Sequence, residues 1–417
     1  VQWYCFLLYG TAAGTVFHKV FFSQTGNGTT ALILSYMSFA IGYIAGPFGA
    51  IFFGHIGDRK GRKVTMYASL LMMGISTSII GILPPAASAG VGVVIVLQLM
   101  RLAQCFGRGG TWGGGILMAY ENVPENKRSF YAAIPQIGLP IGFGLSSILI
   151  AVPTLLLPED IFFTWGWRIP FLAAIILTLI VIRQKGEMME TEDYKKAQAK
   201  LEAEEAEGKK HKVGFIPMVK GYWKTLLLGC GTRWVDGTFY NIFIVWILSY
   251  CINWLGMPLI QTYIITIIAC IFKIPFTLFG GWCAQKLGNT RTFVIGALAS
   301  AVLSIPTLKV IELSKGNLAI TIIGIVLGWS IAYNLIWAVI SSLWSSYFET
   351  EVRYSGISFV YHVPSFLVAG MVPTICTLLI NYGKGDTIYV GIYSTVVALI
   401  SAACALALKA RHDRGEK

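Results

Sequence analysis

Twelve apolar runs separated by polar or Pro/Gly-bearing punctuation lie at about 1–22, 30–57, 64–84, 91–120, 128–153, 164–183, 222–252, 259–285, 290–311, 318–347, 353–382 and 387–408. A helix that crosses the hydrocarbon core of a bilayer takes about 20 residues, and each run suffices. Without water to satisfy backbone N–H and C=O groups, such runs fold as helices. Charged residues make up only 12% of the chain, against roughly 25% in soluble domains, which excludes an ordinary cytosolic enzyme. The expected fold is all-α and membrane-embedded, with twelve transmembrane helices in two pseudo-symmetric six-helix bundles. Residues 1–183 and 222–408 form the bundles, 184–221 a cytoplasmic linker and 409–417 a cytoplasmic tail.

Cations are retained on the cytoplasmic side during insertion, so their distribution sets the orientation. The side that holds the Glu/Lys/Ala-rich linker carries 23 Lys and Arg, and the opposite side carries five. Both termini are therefore expected in the cytoplasm. Val1 opens directly into an apolar run without Met, so the native N-terminus is expected upstream. The net charge of +12 does not signal nucleic acid, because the cations form no basic domain with interleaved surface aromatics. The eight cysteines lie in or at the ends of the runs without C-x-x-C spacing, which suits packing rather than zinc or disulfides. No G-x-x-x-x-G-K-[ST], H-E-x-x-H or G-x-S-x-G motif occurs, so catalysis and cofactors are not expected.

The halves read as diverged copies, an arrangement common in secondary transporters. Gly54-His-Ile-Gly-Asp58-Arg59-Lys-Gly61-Arg62-Lys63 follows the second run, and Gly281-Trp-Cys-Ala-Gln285-Lys286-Leu-Gly288 follows the eighth. Glu121 ahead of Arg128 after the fourth run is matched by Glu349 ahead of Arg353 after the tenth. In the first of these loops Asp58 sits among cations and can pair across the halves, so Asp58, Arg59, Arg62 and Arg128 are candidate gating residues.

Four cations fall inside runs: Arg101, Arg108, Arg233 and Lys273. A cation at mid-bilayer depth costs about 2.5–3.5 kcal/mol on insertion scales and normally faces the bundle interior. Arg101 and Arg108 are seven residues apart and so share one helix face. Arg233 and Asp236 are three apart and can pair. The remaining cations have no acid at comparable depth, so a cavity they line is completed by a small organic anion, to which guanidinium offers two parallel hydrogen bonds. The bland alternatives are that Arg101 binds Gln104 or backbone carbonyls and that Lys273 snorkels to an interface.

The chain resembles the major facilitator superfamily, and within it the metabolite:proton symporters that carry shikimate, 2-oxoglutarate, citrate or proline/betaine. The resemblance rests on Trp3-Tyr4 with Tyr9-Gly10-Thr-Ala, Pro47-Phe-Gly-Ala50 before the Asp58 loop, Arg101-Leu-Ala-Gln104, Gly109-Gly110-Thr111-Trp112-Gly113-Gly114, Arg128-Ser-Phe-Tyr131, Pro135-Gln136-Ile-Gly138-Leu-Pro140, Gly166-Trp167-Arg168-Ile-Pro170-Phe171 and Val352-Arg353-Tyr354-Ser-Gly356. It implies two bundles that open a central cavity to each side in turn, with the Asp58 loop holding the outward-open state. Three acids usual in the family are replaced here by Gln2, Cys5 and Thr111. His362 stands where the family has Gln, and Arg108 and Lys273 where apolar or small polar residues are usual.

On that architecture Tyr9, Trp112, Gln136, Tyr240, Tyr333, Asn334, Tyr361 and His362 join the four cations as candidate substrate contacts. Asp236, His362 and Glu121 are the candidate coupling groups. Glu121 can instead pair with Arg59, Arg62 or Arg128 in the gate. Proton symport, exchange against a counter-anion and facilitated diffusion all stay open. A zwitterionic osmolyte or amino-acid-like solute is the alternative substrate, and a non-transporting sensor the alternative function. The expected setting is a monomer in the bacterial inner membrane, whose partners are the bilayer, the substrate anion and protons or a counter-anion.

Overall fold

The computed structural model describes residues 1–24, 27–60, 62–110, 123–124, 127–185, 215–349 and 352–415; at 54–55, 57–60, 62–63, 185, 215–218 and 354 only the backbone is described. Every regular element among them is helical, and each apolar run, as far as it is described, coincides with a helix or a chain of helices. In the first half these are Gln2–Thr15 continued by Phe17–Val20, Gly28–Lys60, Arg62–Ile82, Gly92–Gly109, Arg128–Ala133 leading into Gly138–Leu156, and Arg168–Lys185. The second half has Phe215–Asn241 continued to Ile247–Asn253, Leu259–Leu287, Asn289–Leu313, Leu318–Ile325 leading to Asn334–Tyr347, Arg353–His362 leading to Val372–Tyr382, and Ile388–Asp413.

Among the described residues nine helices are long and apolar enough to span a membrane on their own. The first, fourth and eleventh spans fall short for local reasons. The first breaks at Val16, the fourth is described only to Gly110 and carries Arg101 and Arg108, and the eleventh is interrupted between His362 and Phe366, where Pro364 removes a backbone donor. Val16, Arg101 and Arg108 are buried in protein, the setting in which a bilayer tolerates such departures, whereas Val363 at the break in the eleventh span is exposed. Thirteen residues of Gln2–Thr15 are buried, and the apolar window of the seventh span is 94% buried. The first and seventh spans thus occupy equivalent central places in the two halves.

Helix ends depart from the sequence boundaries. The seventh helix starts at Phe215 rather than 222, and a non-helical Tyr222 (φ −118°, ψ 18°) marks the junction between its lead-in and its span. The twelfth runs on to Asp413, into the expected tail, because Lys, Arg and His extend a helix end favourably. Most of the expected 184–221 linker lies outside the described residues.

Packing within the first half depends on backbone approach between the second and fourth spans. A Cβ at Gly49 would lie 1.9 Å from the Phe106 carbonyl oxygen, so only glycine fits. Between the halves there are two closures. On the face bearing the termini, Gln136 Nε2 donates to the Trp337 carbonyl at 3.4 Å, and Trp337 Nε1 donates to the Gln136 carbonyl at 3.0 Å. On the opposite face Tyr36 and Ser249 hydroxyls meet at 2.5 Å, and Thr15 and Tyr263 at 3.1 Å. What lies between is enclosed on both sides.

Candidate functional site

Between the two closures, polar side chains from six spans form one continuous path. The Lys273 ammonium, on the eighth span, donates to Asn334 Oδ1 at 2.8 Å. It stands 4.4 Å from the Tyr333 ring centre and 4.7 Å from that of Trp329. Asn334 donates from Nδ2 to the Lys273 carbonyl at 2.7 Å, which turns its oxygen toward the ammonium. The Tyr333 hydroxyl donates to Asp236, and Asp236 also takes the salt bridge from Arg233. The Arg233 guanidinium lies 4.4 Å from the Tyr361 ring centre. The Tyr361 oxygen in turn accepts from Arg108 Nη2 at 3.1 Å. Arg108 faces the Phe6 ring at 3.8 Å, with Tyr43 at 5.5 Å and Trp3 at 5.8 Å. Cations alternate with rings along the whole path, and each such contact contributes about 0.5–2 kcal/mol according to its desolvation.

The charge of this region is unbalanced. Among the described residues Arg101, Arg108, Arg233 and Lys273 are buried, and Asp236 is the one buried carboxylate. Lys273 is held by a neutral amide and two rings. Arg233 Nε, the Tyr240 hydroxyl and His362 Nε2 are buried polar atoms without a hydrogen-bond partner among the described residues. Both Tyr240 and His362 are within Coulombic reach of Arg108 and Arg233. An unsatisfied buried donor costs about 1–3 kcal/mol, so these atoms favour a ligand that can satisfy them. A carboxylate supplies acceptors to an Nε–H, a phenol and an ammonium together.

The other expected site residues divide into several groups. Arg101 belongs to a separate box inside the first half. Its guanidinium is 4.3 Å from the Tyr9 ring centre, 4.6 Å from Phe6 and 4.7 Å from Phe39, and it donates to Gln104 and, at 3.4 Å, to the Phe39 carbonyl. Gln104 is fixed by the Cys5 carbonyl at 3.0 Å and Thr77 Oγ1 at 2.8 Å, and Tyr9 bonds Ser38. This is the carbonyl-and-Gln104 arrangement that the sequence left as an alternative. Gln136 serves the closure with Trp337. Arg128 opens the helix Arg128–Ala133. The side chains of Asp58, Arg59 and Arg62, and the whole of Trp112 and Glu121, lie outside the described residues.

The cationic heads do not line an open cavity as the sequence suggested. Arg101 and Lys273 are fully buried, because the halves meet on both sides of the path and ring faces fill the space between. Neither does Lys273 snorkel to an interface. Of the rings that meet these cations, Tyr9, Tyr333 and Tyr361 are among the expected contacts, whereas Phe6, Phe39, Tyr43 and Trp329 are not, and Trp3 enters the sequence reading only as a family mark. A signal did exist for some of them. Trp329 precedes Tyr333 by four residues, and Trp3 precedes Phe6 by three, spacings that share a helix face.

A family model described as Major Facilitator Superfamily matches residues 4–373. The "Inner membrane metabolite transport protein YhjE" of Escherichia coli (strain K12) is 34% identical, covering 99% of this chain and 92% of its own length. The "Shikimate transporter" of the same organism is 32% identical over 98% of this chain and 92% of its own. The "Proline/betaine transporter" of Salmonella typhimurium is 27% identical over 99% of this chain and 82% of its own. A crystal structure of a D-xylose-proton symporter superposes with a TM-score of 0.70 at 17% identity, covering 98% of this chain and 95% of that one, a likeness of fold.

Proposed function

The chain belongs to the Major Facilitator Superfamily and is an integral membrane transporter, not an enzyme; from that premise we propose that it moves a small organic anion, a mono- or dicarboxylate, by alternating access. One observation carries the reading. The Lys273 ammonium is buried at mid-span, its hydrogen bond goes to the neutral Asn334 amide, and the one buried carboxylate within its Coulombic reach, Asp236, is already bound by Arg233, whose Nε has no partner among the described residues. A substrate carboxylate bridging that region would offset the desolvation of both cations. The two closures support alternating access. Parting Gln136 from Trp337 exposes the path toward the termini, and parting Tyr36 from Ser249 exposes it to the opposite face.

Coupling follows from the same groups. A proton placed on Asp236 releases Arg233 to the substrate, which gives symport; an excess-cation centre that reorients only when filled gives exchange against a counter-anion. Asp236 is the coupling group of first choice, with His362 beside it and Glu121 a further candidate. Asp58, Arg59, Arg62 and Arg128 are assigned to the gate on the termini-bearing face. We place that face in the cytoplasm of a bacterial inner membrane, as the distribution of Lys and Arg favours.

A zwitterion is the second reading. Trp3 meets Tyr240 at 6.4 Å and Trp337 at 5.5 Å between ring centres, next to Arg108. Such a cluster can surround a quaternary ammonium while the cations take the carboxylate, and one relative is named for proline and betaine. A thermal-stability screen of the purified chain with carboxylates, sulfonates and betaines decides between them. A ligand at a hundred times its Kd adds about 2.7 kcal/mol of stability. Carboxylates are expected to raise the midpoint, and Lys273→Gln to remove the rise. A rise with betaines alone overturns the anion reading.

A further inference from the structure

Just outside the Tyr36–Ser249 contact, on the face away from the termini, the structure holds a second cavity of about 640 Å³. Its size falls within the range of small-molecule sites. Its floor is buried and includes Trp246 and Ser249, and its rim is exposed and includes Lys19, Asn253 and Trp254. His18 completes the wall, with an Nδ1 that is buried and has no hydrogen-bond partner among the described residues. Trp246 stacks on Tyr250 at 5.2 Å and 27°, and both rings are buried, which closes the floor with aromatic carbon. The charged or titratable lining groups are Lys19, His18 and the Tyr250 phenol; among the described residues no carboxylate lines the cavity, and Glu312 and Asp386 lie within Coulombic reach of Tyr250. Glu159 approaches Lys19 at 3.6 Å from outside it, but both side chains are exposed, so the pair is weak and easily exchanged.

We propose that this cavity is an entry site that binds a small carboxylate with an apolar or aromatic body, held by Lys19 and His18 at its charged end and by Trp246 and Trp254 at its body. The proposal rests on the anion reading for its place in transport, but the cavity's own chemistry is separate from the central path. Ser249 links the two. It lines the floor and also makes the cross-half hydrogen bond to Tyr36, so an occupant stands directly against the contact that must part for entry. The Lys19 ammonium at the rim also draws anions toward the gate, as charged groups beside a cleft do.

The test needs no turnover. Asn253 is exposed and its side chain makes no hydrogen bond among the described residues, so Asn253→Cys places a reporter on the rim. Its rates of modification by the anionic sulfonatoethyl and the cationic trimethylammonioethyl methanethiosulfonates are compared in the full chain, with the unsubstituted chain and its native cysteines as background. The anionic reagent is expected to be favoured about tenfold. Adding Lys19→Gln and His18→Gln should bring the ratio near one. Benzoate should slow the labelling severalfold and the neutral benzamide should not. This protection should survive Lys273→Gln, which separates the cavity from the central path. Equal rates for the two reagents, equal protection by benzamide, or protection lost with Lys273→Gln would each overturn the proposal. Anion-selective labelling in a chain without any uptake would sink the transport reading while supporting the cavity's chemistry.

Discussion

Arg101 and Arg233 are both guanidinium groups buried inside spans, and they are held by opposite means. Arg101 sits on three rings, a glutamine and a backbone carbonyl, all from the first half. Arg233 is neutralised by Asp236 three residues on, and that carboxylate is bound in turn by Tyr333. The first arrangement spreads one charge over neutral groups and includes no carboxylate, so it behaves as a fixed part. The second contains a titratable partner shared between two spans, so its charge can be switched. Lys273 adds a third case, an ammonium held only by an amide and ring faces. The contrast teaches that burying a cation does not by itself mark a substrate site. What matters is whether its counter-groups are complete.

The largest effect that sharpens this contrast is expected at Asp236. Removing one partner of a buried ion pair costs about 3–5 kcal/mol, because the other charge stays behind. Asp236→Asn should therefore abolish uptake and lower the melting midpoint, and adding Arg233→Gln should restore the midpoint but not uptake. If the single and double variants melt alike, the pair is not what neutralises Arg233.

Lys273→Gln comes next. It removes a buried charge whose insertion costs about 2.5–3.5 kcal/mol, so stability should hold or rise while uptake falls by about a hundredfold or more. Uptake within twofold of the parent would break the cationic reading. Arg101→Lys should do the reverse. The ammonium cannot reproduce the planar contacts to Gln104 and the Phe39 carbonyl, so a loss of about 1–3 kcal/mol of stability is expected with the apparent KM of uptake unchanged. A raised KM with an unchanged melting midpoint would return Arg101 to the substrate path.

The smallest effect lies away from both regions. At the rim of the second half Lys309 donates to Asp386 at 2.7 Å and to Glu312 at 2.9 Å. The hydrogen bond from Lys309, with that from the Ile388 N–H, holds the Asp386 carboxyl below the usual carboxylate range. A depressed carboxyl contributes stability above its unfolded pKa and loses it as pH falls through the folded value. Asp386→Asn should thus lower the melting midpoint slightly at pH 7, with the difference from the parent vanishing in acid. A difference that is constant with pH would rule out the carboxylate as its cause.

Residue order alone determined a great deal. Twelve apolar runs, the paired loops after the second and eighth of them, the four cations inside spans and the spacing of Arg233 and Asp236 are local features. Each depends on residues within a turn or two of one another, which a linear pattern records. The tertiary structure alone decided which neighbours those cations meet. Lys273 finds Asn334 across 61 positions, and Arg108 finds Tyr361 across 253. The split of Arg101 from Arg108, although both touch Phe6 from one helix face, likewise appears only when the first, second and eleventh spans are placed around the fourth. The cavity beyond Ser249 has no sequence signal either, because it is made by the ends of four spans, the first, second, seventh and eleventh. Spans are independent helices in lipid, and their assembly is governed by side-chain packing and hydrogen bonds between distant segments, terms that no local pattern encodes.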